Sequence, residues 1–183
     1  MRWDRLFEDL EGQLLEESIA QRDADVVERI RAERARITLG ERLRRHDGPI
    51  HLVLLRGRLI VGDLLDAGAG WVVVQDGARG PALVPTDAVV EIEGLGWAGQ
   101  DREGVFAQLG IGHPLRALAR DRAVVEIEDV IGRSLVGTID AVGADAFEVA
   151  LHPRDEPPRP ATVWRRPTIP FRAIVCVTAL GPA

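Results

Sequence analysis

The chain repeats itself, and that duplication constrains its fold more than any other feature. At a shift of 75 positions, Leu43-Arg44-Arg45 falls on Leu118-Ala119-Arg120, Gly57-Arg58 on Gly132-Arg133, Gly62 on Gly137, and Gly68-Ala69 on Gly143-Ala144. Ile50 and Leu52 fall on Val125 and Ile127, Leu64 on Ile139, and Val74 on Val149. The match resumes at a shift of 85, with Val84-Pro85 on Ile169-Pro170 and Ala88-Val89-Val90 on Ala173-Ile174-Val175. One small β unit therefore occurs twice, and the second copy carries ten extra residues in one hairpin. Copies of about 50–60 residues lie near the lower limit for folding alone. Tight packing between them, or against flanking helices, is expected.

Within the first copy the apolar alternation predicts strands over 50–55, 59–65, 71–75, 82–84 and 88–93, with a hairpin turn at Asp76-Gly77. Gly62 and Gly137 fall inside second strands, where glycine marks a sharp bend. In the second copy Val125 and Ile127 point inward, while Glu126 and Glu128 alternate outward and read as solvated. Phe147 and Val149 match Val72 and Val74 as inward residues of the third strand. The outward positions differ, being Trp71 and Val73 in the first copy but Ala146 and Glu148 in the second. Something is expected to cover Trp71 and Val73: the long helix, the linker or a partner. Residues 105–109 and 115–120 read as two short linker helices.

Residues 2–46 read as helix, since no proline precedes Pro49 and Gly12 is the sole glycine before Gly40. Trp3, Phe7, Leu10 and Leu14 form one helical stripe. A helix continuous to residue 39 would be about 55 Å long at 1.5 Å per residue, more than one small barrel covers. Self-association of this helix in a homo-oligomer is the expectation. Residues 1–25 hold three Arg against eight acids, whereas 26–46 hold seven Arg against three acids. Those arginines have two readings: an exposed face laced with Glu–Arg pairs, or nucleic-acid contacts through Arg34, Arg42, Arg44 and Arg45.

Composition narrows the chemistry. The chain has no Lys, Tyr or Asn, and only Ser18, Ser134 and Cys176 as serine or cysteine. Nucleophilic catalysis needs an activated side chain beside a base, so no catalytic residue is assigned and no enzyme is expected. One cysteine excludes an intrachain disulfide and a Cys-based zinc site. His46, His51, His113 and His152 lack ligand spacing, so neither metal nor cofactor is expected. No apolar run approaches the roughly 20 residues of a membrane span, and a cytoplasmic protein is expected. The formal net charge is −6.

Each copy resembles the Sm-like fold of Sm, LSm and Hfq proteins, a five-stranded bent barrel. The resemblance is carried by Leu52 to Leu54, Gly57, Gly62-Asp63-Leu64, Trp71 to Val74 and Val84 to Ile92. In the second copy it is carried by Val125 to Ile127, Gly132, Gly137-Thr138-Ile139, Phe147 to Val149 and Ile169 to Val177. It implies a mainly β fold with α elements: an N-terminal helix (1–47), a first barrel (48–97), a helical linker (98–122) and a second barrel (123–183). It also implies pairing of the fourth strand of one barrel with the fifth of the next. The family's uracil-pocket Asp and Asn are absent, Gly68 and Val72, and Gly143 and Phe147, standing at those places. Pro85-Thr86 and Pro170-Phe171 replace its Arg-Gly, so no RNA-binding residue transfers. The whole chain, from Met1-Arg2-Trp3-Asp4 to Arg120-Asp121-Arg122-Ala123, is also similar to a family of actinobacterial proteins, some labelled Fis-type transcription regulators. A helix-turn-helix of that type would have to come from 105–120, whose apolar content suits groove reading poorly.

The added residues fall in the hairpin over 152–167, which holds five prolines and ends in Trp164-Arg165-Arg166. Trp and Arg are enriched at binding hot spots. These features favour a non-enzymatic interaction or scaffold protein that binds a protein partner through Trp71, Val73, Trp164, Arg165 and Arg166 and self-associates through the Trp3-Phe7-Leu10-Leu14 stripe. The alternative is a nucleic-acid-binding regulator using the Arg-rich helix with Arg165 and Arg166.

Overall fold

The computed structural model describes residues 22, 25–97 and 108–181. The chain divides into two units, Met1–Thr38 and Leu39–Ala183. In the first, residues 25–34 are helical. The helix tightens at its end into i→i−3 bonds, Arg36 N to Glu33 O and Ile37 N to Arg34 O. The continuous helix expected over 2–46 is thus interrupted, and α1 (Leu39–Arg45) is a separate element. Two β-branched residues, Ile37 and Thr38, stand at the break. Thr38-Leu39-Gly40-Glu41 carries the capping-box pattern, a hydroxyl residue followed by Glu three positions later, which favours a new helix start. Trp3, Phe7, Leu10 and Leu14 lie outside the described residues.

The second unit is mainly β. Its strands are β1 (Pro49–Leu54), β2 (Leu59–Gly68), β3 (Trp71–Asp76), β4 (Gly80–Pro85), β5 (Val89–Glu93), β6 (Val124–Asp129), β7 (Ser134–Val142), β8 (Ala146–Leu151), β9 (Thr168–Pro170) and β10 (Ile174–Ala179). They form one antiparallel sheet in the order β5-β1-β2-β3-β4-β10-β6-β7-β8-β9. The two five-strand runs have the same order, and their irregularities coincide. β2 slips against β3 between Leu64 and Asp66, and β7 slips against β8 at the matching Ile139 and Ala141. β1 opposite β5 and β6 opposite β10 share a second slip, Leu54↔Val89 corresponding to Asp129↔Ile174. Gly62 and Gly137 are required where β2 and β7 are crossed closely by the next strand. An added Cβ would run into the carbonyl of Gln75 or of Ala150, themselves matching positions.

The repeat also includes a helix. Leu43 of α1 is buried in the first core, and α2 (Gly112–Arg120) brings Leu115 into the second, with Leu118 packed beside it. Of the two expected linker helices, only the second lies wholly among the described residues. It starts earlier than expected, with Pro114 inside its first turn, where a missing N–H costs no bond.

The halves join where β4 pairs with β10, Leu83 opposite Val177 and Ala82 opposite Thr178. Here the strands lose their alternation and are apolar on both faces. Val175 and Cys176 of β10 pack in the first core, whereas Ile174 and Val177 pack in the second. Leu83 and Trp71 of the first half also lie in the second core. Each core therefore contains residues from both halves.

Candidate functional site

Trp71 and Val73 are taken up by this joint. Trp71 is 2% exposed, and its indole Nε1 donates to the Leu109 carbonyl at 2.7 Å. Val73 packs on the same core. The linker and the second half cover the face, so these two residues present no free interaction surface. Burying an indole of this size is worth about 2–3 kcal/mol, with the polar nitrogen satisfied.

Residues that sequence reasoning missed tie the joint together. Arg58 spans it: Nη1 donates to Glu128 at 2.8 Å, and Nη2 to Asp76 at 3.1 Å and to Thr178 Oγ1 at 3.4 Å. Its side chain is only 12% exposed. Burial opposes its charge, but the carboxylates of Glu128 and Asp76 outweigh that, and its pKa rises. Its Nε, also buried, has no partner among the described residues. Glu128 is thus not a solvated outward residue but half of an ion pair across the joint. Cys176 lies fully buried nearby. Burial pushes its thiol up to about 11 despite the pull of Arg58, which suppresses the nucleophilic thiolate.

The hairpin over 152–167 is anchored at its base. His152 is buried; Nδ1 donates to the Pro153 carbonyl at 2.8 Å, and Nε2 pairs with the buried Thr138 hydroxyl at 2.8 Å. Beyond the base the strand ladder continues, with Trp164 N donating to Leu151 O and Leu151 N donating to Arg165 O. At the tip, Thr162 Oγ1 donates to Pro157 O at 2.7 Å and accepts from Arg159 N at 2.9 Å. Trp164 remains 56% exposed on this braced segment. Arg166 leans to Asp140 at 3.3 Å, while the side chain of Arg165 makes no hydrogen bond or ion pair among the described residues.

The arginines proposed for nucleic acid differ in their surroundings. Arg42 is spent inside the fold: Nε and Nη2 donate to the carbonyls of Gly96 and Leu95, and its guanidinium lies 4.0 Å over the Trp97 ring. Arg44 and Arg45 are half-buried on α1, and Arg34 lies on the exposed helical residues of the first unit.

A hollow of about 180 Å³ opens between the turns Thr86–Ala88 and Phe171–Ala173, with Asp87 and Arg172 among its walls. It is smaller than the roughly 300–1,000 Å³ of typical small-molecule sites. Among the described residues no His, Cys, Asp and Glu cluster has metal-site geometry, and no helix is long and apolar enough to cross a membrane. Compared with family models, with curated proteins and with solved structures, the chain gives no match.

Proposed function

We propose that this chain is a non-enzymatic interaction protein, in which two Sm-like barrels are fused into one platform that offers the Trp164-Arg165 hairpin to a protein partner. The carrying observation is a Trp that stays exposed on a segment whose backbone and base are hydrogen-bonded. Its ordering cost is largely met before a partner arrives, and large aromatic and Arg side chains on such supports dominate binding energy. The shared strand order, the shared slips and the β4–β10 pairing support the Sm-like reading of each half. The buried Cys176 and the absence of Lys and Tyr support a non-enzymatic role. Self-association through the Trp3-Phe7-Leu10-Leu14 stripe and a cytoplasmic setting complete the proposal.

The experiment compares wild type with the Trp164→Ala, Arg165→Ala double variant in quantitative capture from lysate, together with anisotropy titrations against duplex DNA and single-stranded RNA. A protein retained by wild type and lost from the folded variant supports the reading. Micromolar nucleic-acid binding that weakens steeply with salt would overturn it in favour of the regulator.

A further inference from the structure

We propose that the hollow between the turns Thr86–Ala88 and Phe171–Ala173 is a binding site for a free α-amino acid with an apolar side chain. The two turns are counterparts in the repeat, but their middle residues carry opposite charges, Asp87 in the first and Arg172 in the second. Both line the same hollow. Both are exposed, and among the described residues neither side chain makes a hydrogen bond or an ion pair, with the other or with any third group.

The rest of the wall is apolar and held in place. Pro85, Ala88 and Ile174 are its buried part, and Leu55, Ile111 and Phe171 are the part that solvent reaches. Each turn is fixed at both ends. Thr86 N donates to Gly70 O at 3.0 Å and Val89 N to Thr86 O, while in the second copy Phe171 N donates to Asp145 O at 2.7 Å and Ile174 N to Phe171 O. Ile111 is brought to the hollow by the bridge between Gly110 and Ala69 and by Leu109, whose carbonyl accepts from Ala69 N and Trp71 Nε1. A ligand therefore meets a formed site with little left to order. No described wall residue belongs to the 152–167 hairpin, so the site is separate from whatever Trp164 binds.

The two free charges select the ligand. A guanidinium grips a carboxylate through paired N–H donors, and a carboxylate accepts from an ammonium. A free α-amino acid carries its ammonium and its carboxylate on one carbon, so it offers Asp87 and Arg172 their partners together. A residue inside a polypeptide has neither group, and a ligand with one charge leaves Asp87 or Arg172 unmatched. A nucleic-acid backbone brings only anions, which Asp87 repels. The volume of about 180 Å³ admits a body the size of one side chain, and burial against Leu55, Ile111 and Phe171 favours an apolar one. Arg172 donates to the α-carboxylate, Asp87 accepts from the α-ammonium, and the side chain enters the apolar part.

The test titrates the full chain at neutral pH, by calorimetry and by the shift of its melting temperature, with L-leucine, L-isoleucine, L-valine, L-methionine and L-phenylalanine up to millimolar concentration. The amino acid that binds best is then compared with its N-acetyl form, which lacks the ammonium, and its amide, which lacks the carboxylate. Each blocked form is expected to bind wild type about tenfold or more weakly. Arg172→Gln and Asp87→Asn change exposed positions and are expected to keep the urea midpoint of wild type while weakening the free amino acid by a similar factor. The losses should also match in kind. Arg172→Gln should leave affinity for the amide unchanged, and Asp87→Asn should leave affinity for the N-acetyl form unchanged. No binding by any of the five would overturn the proposal and leave the hollow to solvent. Blocked forms that bind as tightly as the free amino acid would overturn the pairing of charges. Variants that bind like wild type would overturn the site and place binding elsewhere on the chain.

Discussion

At the scale of single residues, the duplication shows most sharply where a side chain is forbidden. Gly62 and Gly137 sit beneath the carbonyls of Gln75 and Ala150, and neither strand can retreat without losing its ladder. Gly137→Ala should cost about 2–4 kcal/mol, with Gly62→Ala similar, as read from urea midpoints. Equal stability of the alanine variants would contradict the close crossing. Asp129 is the converse case, a buried carboxylate at the place held by Leu54 in the first half. Burial works against its charge, but the Arg133 amide and guanidinium and the Ile131 amide outweigh it, so its pKa lies below the ordinary carboxylate value. Its contribution is whole above the unfolded value of about 3.9 and is lost as pH falls through the lower folded value. Asp129→Ala strands two amides and should cost about 1–3 kcal/mol at neutral pH. The gap to wild type should narrow in acid, and a gap independent of pH would contradict this account. Both glycines were legible in the sequence because they recur at one shift. The role of Asp129 was not, because two of its partners are backbone amides of a turn, which no side-chain pattern records.

At the scale of elements, the joint between β4 and β10 depends on apolar residues for burial and on Arg58 for register. Arg58→Ala leaves Asp76 and Glu128 facing each other half-buried and without their cation, and should cost about 3 kcal/mol or more. Arg58→Ala with Glu128→Gln and Asp76→Asn should recover part of that loss in denaturant titrations. A single variant as stable as wild type would show that the ion cluster holds nothing. The runs Ala82-Leu83-Val84 and Ile174-Val175-Cys176-Val177 already signalled strands buried on both faces, since neither alternates. What covers each face was beyond the sequence, because Arg58 and Glu128 stand 70 positions apart and only the fold makes them neighbours. The break after residue 36 was legible in Thr38-Leu39-Gly40-Glu41. An expectation built only on the scarcity of glycine and proline passes over it, because a capping box ends one helix by starting another.

At the scale of the whole molecule, the second unit behaves as one body because its two cores exchange residues. Trp71 and Leu83 leave the first half for the second core, and Val175 and Cys176 make the opposite journey. The platform this creates holds the 152–167 hairpin at one place and leaves β5 and β9 as its edge strands, and the hairpin lies where the second copy is longer than the first. The interaction reading rests on that joint existing in solution. Amide hydrogen exchange measures it most directly. Leu83 and Val177, register partners across the joint, should exchange as slowly as the interior strands β2 and β7, through global opening alone. Exchange at those two amides as fast as on the free edges β5 and β9 would show two halves that do not pair, and would contradict the fused platform.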